Sequence, residues 1–270
     1  MPELPEVETT VAGLVPVLDG HRLTRVETYR ADMRKLFPED LRQRLTGARV
    51  TSLGRRAKYG LIDTDRGDTM IFHLGMSGRW RIDPGALGPH DHLVLETEKG
   101  LVLALNDPRR FGFVDLWRTA DIDAYDAFAR MGPEPLGEIF SASYLKDRVA
   151  GRQAPIKAML LDQSVVAGLG NIYVCEALNL SGIHPGKAAG QISKARLGKL
   201  VEAIKAVLIA AINAGGSSLR DYARPSGELG YFSEEWRVYG REGEACACGA
   251  PVLRRVDSGR STFYCGKCQK

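Results

Sequence analysis

The chain opens Met1-Pro-Glu-Leu-Pro-Glu-Val-Glu8. Loss of the initiator methionine ahead of proline would leave Pro2 with a free secondary amine. Such an amine can attack a sugar carbon and form an iminium without a separate lysine. Glu3 and Glu6 follow closely and offer carboxylates for proton transfer. Acids at a helix start are also favoured by the macrodipole alone, so a plain acidic helix start fits the same residues.

A second chemistry lies at the far end, where Cys246-Ala-Cys248 and Cys265-Gly-Lys-Cys268 flank sixteen residues. Two close pairs around a hairpin-sized insert are the pattern of a zinc ribbon, in which four thiolates hold one structural Zn2+ tetrahedrally. The first pair has one residue between its cysteines where the usual knuckle has two, so its turn must differ. Cys175 lies outside this cluster and reads as a small buried apolar residue. Within the insert, Ser258-Gly-Arg-Ser-Thr-Phe-Tyr264 places Arg260 on a Gly-flanked turn, where a braced guanidinium could meet a phosphate. From Arg237 to Lys270 there are seven basic residues and three acidic ones, so this segment carries the whole net charge of +4. A basic tip on a neutral body suits a phosphate-binding module, although basic tails are often only solvated surface. Gly168 and Gly170 stand just before a helix start, a turn that can aim backbone N–H groups at a phosphate or serve as a plain tight turn.

The elements that must position these groups fall into two textures. Val7, Val11, Leu14, Val15 and Leu18 recur at helical spacing after Pro5, with Pro16 expected to kink or fray the helix end. From Leu23 to Trp117 the chain reads as short strands, for example Met70–Leu74, Leu93–Glu96 and Leu101–Leu105. Met131–Gly137, with two prolines and two glycines, reads as a linker. Helices follow, one capped by Ser141, one capped by Asn171 and one from Lys194 to Asn213, then a long Gly-rich loop from Gly215 to Gly230. The pattern is α+β: residues 1–130 sheet-built with an opening helix, 131–140 a linker, 141–235 helical, and 236–270 the ribbon. With 44% hydrophobic and 26% charged residues the chain has the composition of a soluble protein. No apolar run suits a bilayer, the acidic N-terminus is unlike a signal peptide, and the cysteine usage fits a reducing compartment. A cytoplasmic protein is expected.

Five segments, in this order, resemble the formamidopyrimidine-DNA glycosylase (8-oxoguanine DNA glycosylase) family: Pro2–Glu8, His73-Leu-Gly-Met-Ser-Gly78, Asn106-Asp-Pro-Arg-Arg-Phe-Gly112, Gly168-Leu-Gly-Asn-Ile-Tyr173 and the cysteine ribbon. The shortened Cys246 to Cys248 pair is the one departure. The resemblance implies a bifunctional glycosylase and lyase of base-excision repair that removes oxidised purines from duplex DNA and cuts the strand by successive eliminations. It implies Pro2 as nucleophile, Glu3 as acid and base, Glu6 as support, and Lys58 on the phosphate beside the lesion. His73, Asn171 and Arg260 would be further phosphate contacts. Met76, Arg109 and Phe111 would fill the gap left by the flipped nucleotide, and residues of about 215–230 would close over it, with residues 1–130 a β-sandwich-like catalytic domain, 141–235 a helical, helix-two-turn-helix DNA-binding domain, and DNA bound between the two domains. Damaged double-stranded DNA is the implied partner, with the protein a monomer that is nucleoid-associated when on DNA. The need for a wedge is physical, since flipping costs a few kcal/mol and leaves a hole in the stack. Ordinary strand packing would account equally for Met76 and Phe111 outside these motifs. The endonuclease VIII type, which removes oxidised pyrimidines, is the nearest competing reading. A noncatalytic zinc-ribbon DNA-binding protein is another, but it leaves Pro2, Glu3 and Glu6 unexplained.

Overall fold

The computed structural model describes residues 2–217 and 231–270. The chain divides into two compact units, one formed by Met1–Ala129 with Ile212–Ser233, the other by Arg130–Ala211 with Glu234–Lys270.

In the first unit, helix α1 (Leu4–Leu18) precedes eight strands and a short α-helix, with a 3-10 turn at Thr119–Ala124 after the last strand. The strands are β1 (Leu23–Thr28), β2 (Val50–Arg56), β3 (Tyr59–Thr64), β4 (Asp68–His73), β5 (Arg79–Ile82), β6 (Asp91–Thr97), β7 (Val102–Asn106) and β8 (Phe113–Arg118), with α2 (Leu41–Leu45) between β1 and β2. They form two four-stranded antiparallel sheets, ordered β1-β6-β7-β5 and β2-β3-β4-β8. Alternate residues such as Ile62, Met70, Phe72, Leu93, Leu95, Leu103 and Leu105 share one apolar core with Val7, Val11, Leu14 and Leu18 of α1. Phe72 of one sheet meets Trp80 of the other edge-on, with ring centroids 5.7 Å apart. This is a β-sandwich with a helix packed into its core. Gly60 on β3 is required by that core, because a Cβ there would lie 2.0 Å from the ring of its register partner Phe72.

Pro16 does not end α1: the helix runs two residues beyond it, and Asp19 N–H closes on the Val15 carbonyl at 3.0 Å. Burial of Leu14 and Leu18 on the same face outweighs the one hydrogen bond that proline cannot make.

The second unit holds α3 (Ala142–Val149), α4 (Ile156–Leu161), α5 (Asn171–Leu180) and most of α6 (Lys194–Asn213), then the hairpin of β9 (Val252–Asp257) and β10 (Arg260–Cys265). Ser141 caps α3 as expected, accepting from Tyr144 N–H at 3.2 Å. On α5 the cap is Gly170 rather than Asn171, which is the first helical residue. The extended backbone of Gly170 fills the cap position and frees the Asn171 side chain for the ribbon. Residues 131–140 are packed within this unit: Gly132 N–H donates to Gln163, the Pro133 carbonyl accepts from Ala167 N–H, and Phe140 is buried. Gly132 has no room for a Cβ, which would meet the Val165 backbone at 2.7 Å, so its small size serves packing and not flexibility.

Gly215, Gly216 and Ser217 belong to the first unit rather than with the helices before them. Ser217 pairs with Tyr231, and Gly216 accepts from Phe232 N–H. Residues 218–230 of the expected closing loop lie outside the described residues. Among the described residues, no helix is long and apolar enough to cross a membrane.

Candidate active site and nucleic-acid interface

Pro2 is buried and directly precedes Glu3, the N-cap of α1. Glu3 N–H donates to Glu6 Oε2 at 2.8 Å while the Glu3 side chain accepts from Glu6 N–H, a reciprocal capping box. The second oxygen of Glu6, Oε1, accepts from Ser217 N–H at 2.8 Å. Both carboxylates are withdrawn from solvent, Glu3 at 2% exposure and Glu6 at 0%. Burial of both acids exceeds what a solvated helix start needs. Glu6 thus has both carboxylate oxygens in hydrogen bonds to backbone N–H groups.

Lys58 sits in the two-residue turn between Arg56 and Tyr59, which closes the β2–β3 hairpin, and is only 9% exposed. The turn holds Ala57 at φ 53°, a left-handed conformation that costs a non-glycine residue roughly 1–3 kcal/mol. Arg55 offsets that cost: its Nη1 donates to the Ala57 carbonyl at 2.9 Å, and its Nε donates to Glu8 of α1 at 2.6 Å. The turn bearing Lys58 is thereby braced against the helix that begins at Leu4.

His73, at the end of β4, stacks on Phe113 with ring planes 12° apart. Burial, with the nearby positive charges of Lys58 and Arg34, holds its pKa down to about 4. Its Nδ1 accepts from Gly75 N–H at 3.0 Å, which puts the proton of the neutral ring on Nε2. His73 is thus a neutral donor within the field of Lys58 and Arg34. Arg34, an exposed residue in the irregular stretch after β1, escaped the sequence reading because that stretch has no motif.

Met76 lies half-buried in the β4–β5 loop, and Arg109 and Phe111 are exposed in the β7–β8 loop. The Arg109 guanidinium stands over the Phe111 ring, 5.0 Å from its centroid. Structure therefore brings these three expected wedge residues to neighbouring loop tips.

In the second unit, β9 and β10 are joined by Ser258 and Gly259, both at positive φ (48° and 75°), the signature of a two-residue type I′ turn. Arg260 follows it, exposed. Asn171 Nδ2 donates to the Ser261 carbonyl at 2.8 Å, tying the start of α5 to the hairpin. Lys157 of α4, missed in the sequence because a lone lysine on a helix has no signature, is buried and donates to Thr262 Oγ1 at 2.7 Å and to the Ser261 carbonyl at 3.2 Å. Burial lowers its pKa. Lys157, Ser258 and Arg260 line one hollow with Pro155, Leu161 and Val256.

Behind the hairpin, the sulfur atoms of Cys246, Cys248, Cys265 and Cys268 lie within 4.8 Å of one another. The Cys248–Cys265 and Cys246–Cys268 pairs are 3.6 and 3.9 Å apart. Thiolates at about 2.3 Å from a tetrahedral zinc are about 3.8 Å apart, so the donor set and spacing fit the ion despite the shortened first pair. Cys175, buried on α5, packs against this cluster as an apolar residue. The ribbon is anchored by Glu176 of α5, whose carboxylate accepts from the N–H groups of Arg237, Val238 and Tyr239 at 2.7–3.0 Å.

Residues 1–114 match the formamidopyrimidine-DNA glycosylase N-terminal domain, and residues 131–223 match the formamidopyrimidine-DNA glycosylase H2TH domain. The chain is 68% identical over its full length to the formamidopyrimidine-DNA glycosylase of Rhizorhabdus wittichii, and 64% identical over its full length to that of Novosphingobium aromaticivorans, with all of each relative covered. It is similar to a crystal structure of a Lactococcus lactis Fpg mutant in complex with Fapy-dG-containing DNA, at TM-score 0.92 and 34% identity with 100% of both chains covered. It is also similar to the MutM (Fpg) protein of Thermus thermophilus, at TM-score 0.90 and 38% identity over 99% of this chain and 98% of that one. A buried proline just before a helix capped by a buried acid, a sandwich with cationic loops, and a four-cysteine hairpin coincide with these matches along the whole chain. The chain belongs to the formamidopyrimidine-DNA glycosylase family of DNA repair enzymes.

Proposed function

We propose that this chain excises oxidised purines from duplex DNA and then cleaves the strand, with Pro2 as nucleophile. The observation that carries the reading is the burial of Glu3 and Glu6 beside Pro2 at the start of α1. The Pro2 nitrogen attacks C1′ of the flipped nucleotide, the C1′–base bond breaks, and the departing base takes up a proton. Glu3 protonates the ring oxygen as the sugar opens to an iminium, then removes a C2′ proton so that the 3′ phosphate leaves. A second elimination releases the 5′ phosphate, and hydrolysis frees Pro2. Lys58 and the Nε2–H of His73, with Arg34, meet phosphate charge on the first unit, and Asn171 and Arg260 meet it on the second. Met76, Arg109 and Phe111 occupy the gap in the stack. One structural zinc on Cys246, Cys248, Cys265 and Cys268 supplies folding energy to the ribbon and takes no part in bond making.

Borohydride trapping on duplexes bearing 8-oxoguanine or an oxidised pyrimidine tests the reading. The expected result is covalent capture, faster on the purine lesion. Pro2→Gly, which leaves only a primary amine, is expected to lose most base release and strand cutting while keeping duplex affinity. Full cleavage by protein that retains Met1 would overturn the amine mechanism, and preference for the pyrimidine lesion would overturn the substrate class.

A further inference from the structure

Beneath the exposed tips of Arg109 and Phe111 lies the carboxylate of Asp107, which is 0% exposed. Its Oδ1 accepts the Ser77 hydroxyl at 2.6 Å, and its Oδ2 accepts Gly112 N–H at 2.8 Å. Ser77 Oγ in turn accepts from Arg109 N–H at 3.3 Å, and the Asp107 carbonyl accepts from Arg110 N–H at 3.2 Å. One buried side chain is therefore bonded to the residue after Met76 and to the residue after Phe111, and through Ser77 to the backbone of Arg109.

Each loop crosses from one sheet to the other, and ladders hold only their ends, β4 pairing with β8 as far as His73 and Phe113 and β5 with β7 from Arg79 and Asn106, so the tips between lie beyond the strand pairing. Their backbones nonetheless touch: a Cβ on Gly75, which sits at φ 61°, would lie 2.3 Å from Gly112 N. Burying a carboxylate is costly unless it is fully hydrogen-bonded, and here the donors to its two oxygens come one from each of the two loops.

We infer that Asp107, acting through Ser77, is a positioning residue that sets Met76, Arg109 and Phe111 as one preformed wedge and so governs discrimination of the base opposite the lesion. The inference rests on the gap-filling reading of those three side chains given above. Displacing a group by about 1 Å can cost on the order of a hundredfold in rate, and a lost base contact reaches on the order of tenfold in discrimination.

The test compares Ser77→Ala, Asp107→Asn, Arg109→Ala and the Ser77→Ala/Arg109→Ala double variant in cleavage of 8-oxoguanine opposite each of the four bases, with thermal unfolding of each protein. Ser77→Ala and Asp107→Asn are each expected to shrink the spread among the four rates by on the order of tenfold. In the Arg109→Ala background, Ser77→Ala is expected to add no further loss of discrimination. The positioning role is overturned if Arg109→Ala flattens the four rates while Ser77→Ala leaves their ratios intact. It is overturned equally if Ser77→Ala lowers all four by one common factor in step with its unfolding temperature. If Arg109→Ala itself leaves the ratios unchanged, the gap-filling reading fails and takes this inference with it. Should Asp107→Asn not fold, Ser77→Ala alone decides.

Discussion

At the scale of single residues, the basic side chains divide by what surrounds them, and the division can be measured. Arg260 is exposed on a braced turn, so Arg260→Ala is expected to weaken binding to damaged and undamaged duplexes alike and to reduce the salt slope by about 1. Binding isotherms at several salt concentrations check this, and a change in lesion preference without a change in slope would contradict it. His73 carries no charge at neutral pH. Folded, it takes up a proton near pH 4; unfolded, near the ordinary 6.5. As pH falls from about 6.5 toward 4 the unfolded chain binds the extra proton, and stability declines with a slope approaching about 1.4 kcal/mol per pH unit. Urea unfolding of the native protein and of His73→Gln across that window should show a steeper decline in the former, by up to that slope; parallel curves would rule it out. Motifs made Pro2, Glu3, His73, Arg109 and Arg260 legible from sequence, because each stands in a run of unusual neighbours. Arg34 and Lys157 were not legible. Each acquires its setting from residues far along the chain, Arg34 from Tyr59 and His73 and Lys157 from Ser261 and Thr262.

At the scale of elements, local pattern predicted which segments are helix and strand but not how their ends are made. The apolar spacing of α1 and α6 and the Ser141 cap were readable, as were the strands near Met70, Leu93 and Leu101. The persistence of α1 through Pro16 and the shift of the α5 cap to Gly170 were not, since tertiary burial and a partner in the ribbon decide both. Gly60 illustrates the same limit: nothing in its neighbours announces that Phe72 occupies the space where a side chain would stand. Gly60→Ala is expected to destabilise the sandwich by about 1–3 kcal/mol through overpacking. A lowered urea midpoint would register it, and an additional Phe72→Leu exchange should recover part of the loss. An unchanged midpoint would mean that the ring moves aside freely.

At the scale of the whole molecule, the two units carry separate reporters. Trp80 is buried in the sandwich core, whereas Trp236 packs edge-on against Tyr239, which in turn meets Phe263 of the ribbon. In a Trp80→Phe/Trp117→Phe variant loaded with zinc, chelation is expected to red-shift Trp236 emission and lower DNA affinity, while the calorimetric transition of the sandwich stays in place. Loss of both units together on chelation would contradict this. The sequence divided the chain linearly, but the folded chain returns to its first unit through Ile212–Ser233. No local pattern carries that return, since it depends on bonds such as the one between Glu6 and Ser217. That bond also has a consequence in time. Its partners are 211 residues apart, and at about 5–20 residues per second a ribosome takes roughly 10–40 seconds to deliver the second after the first. During synthesis the proline and its acids exist for that whole interval without the contact that completes their surroundings. The proposed nucleophile is thus made well before Ser217, and the surroundings of its neighbouring acids are completed only once that later residue has followed.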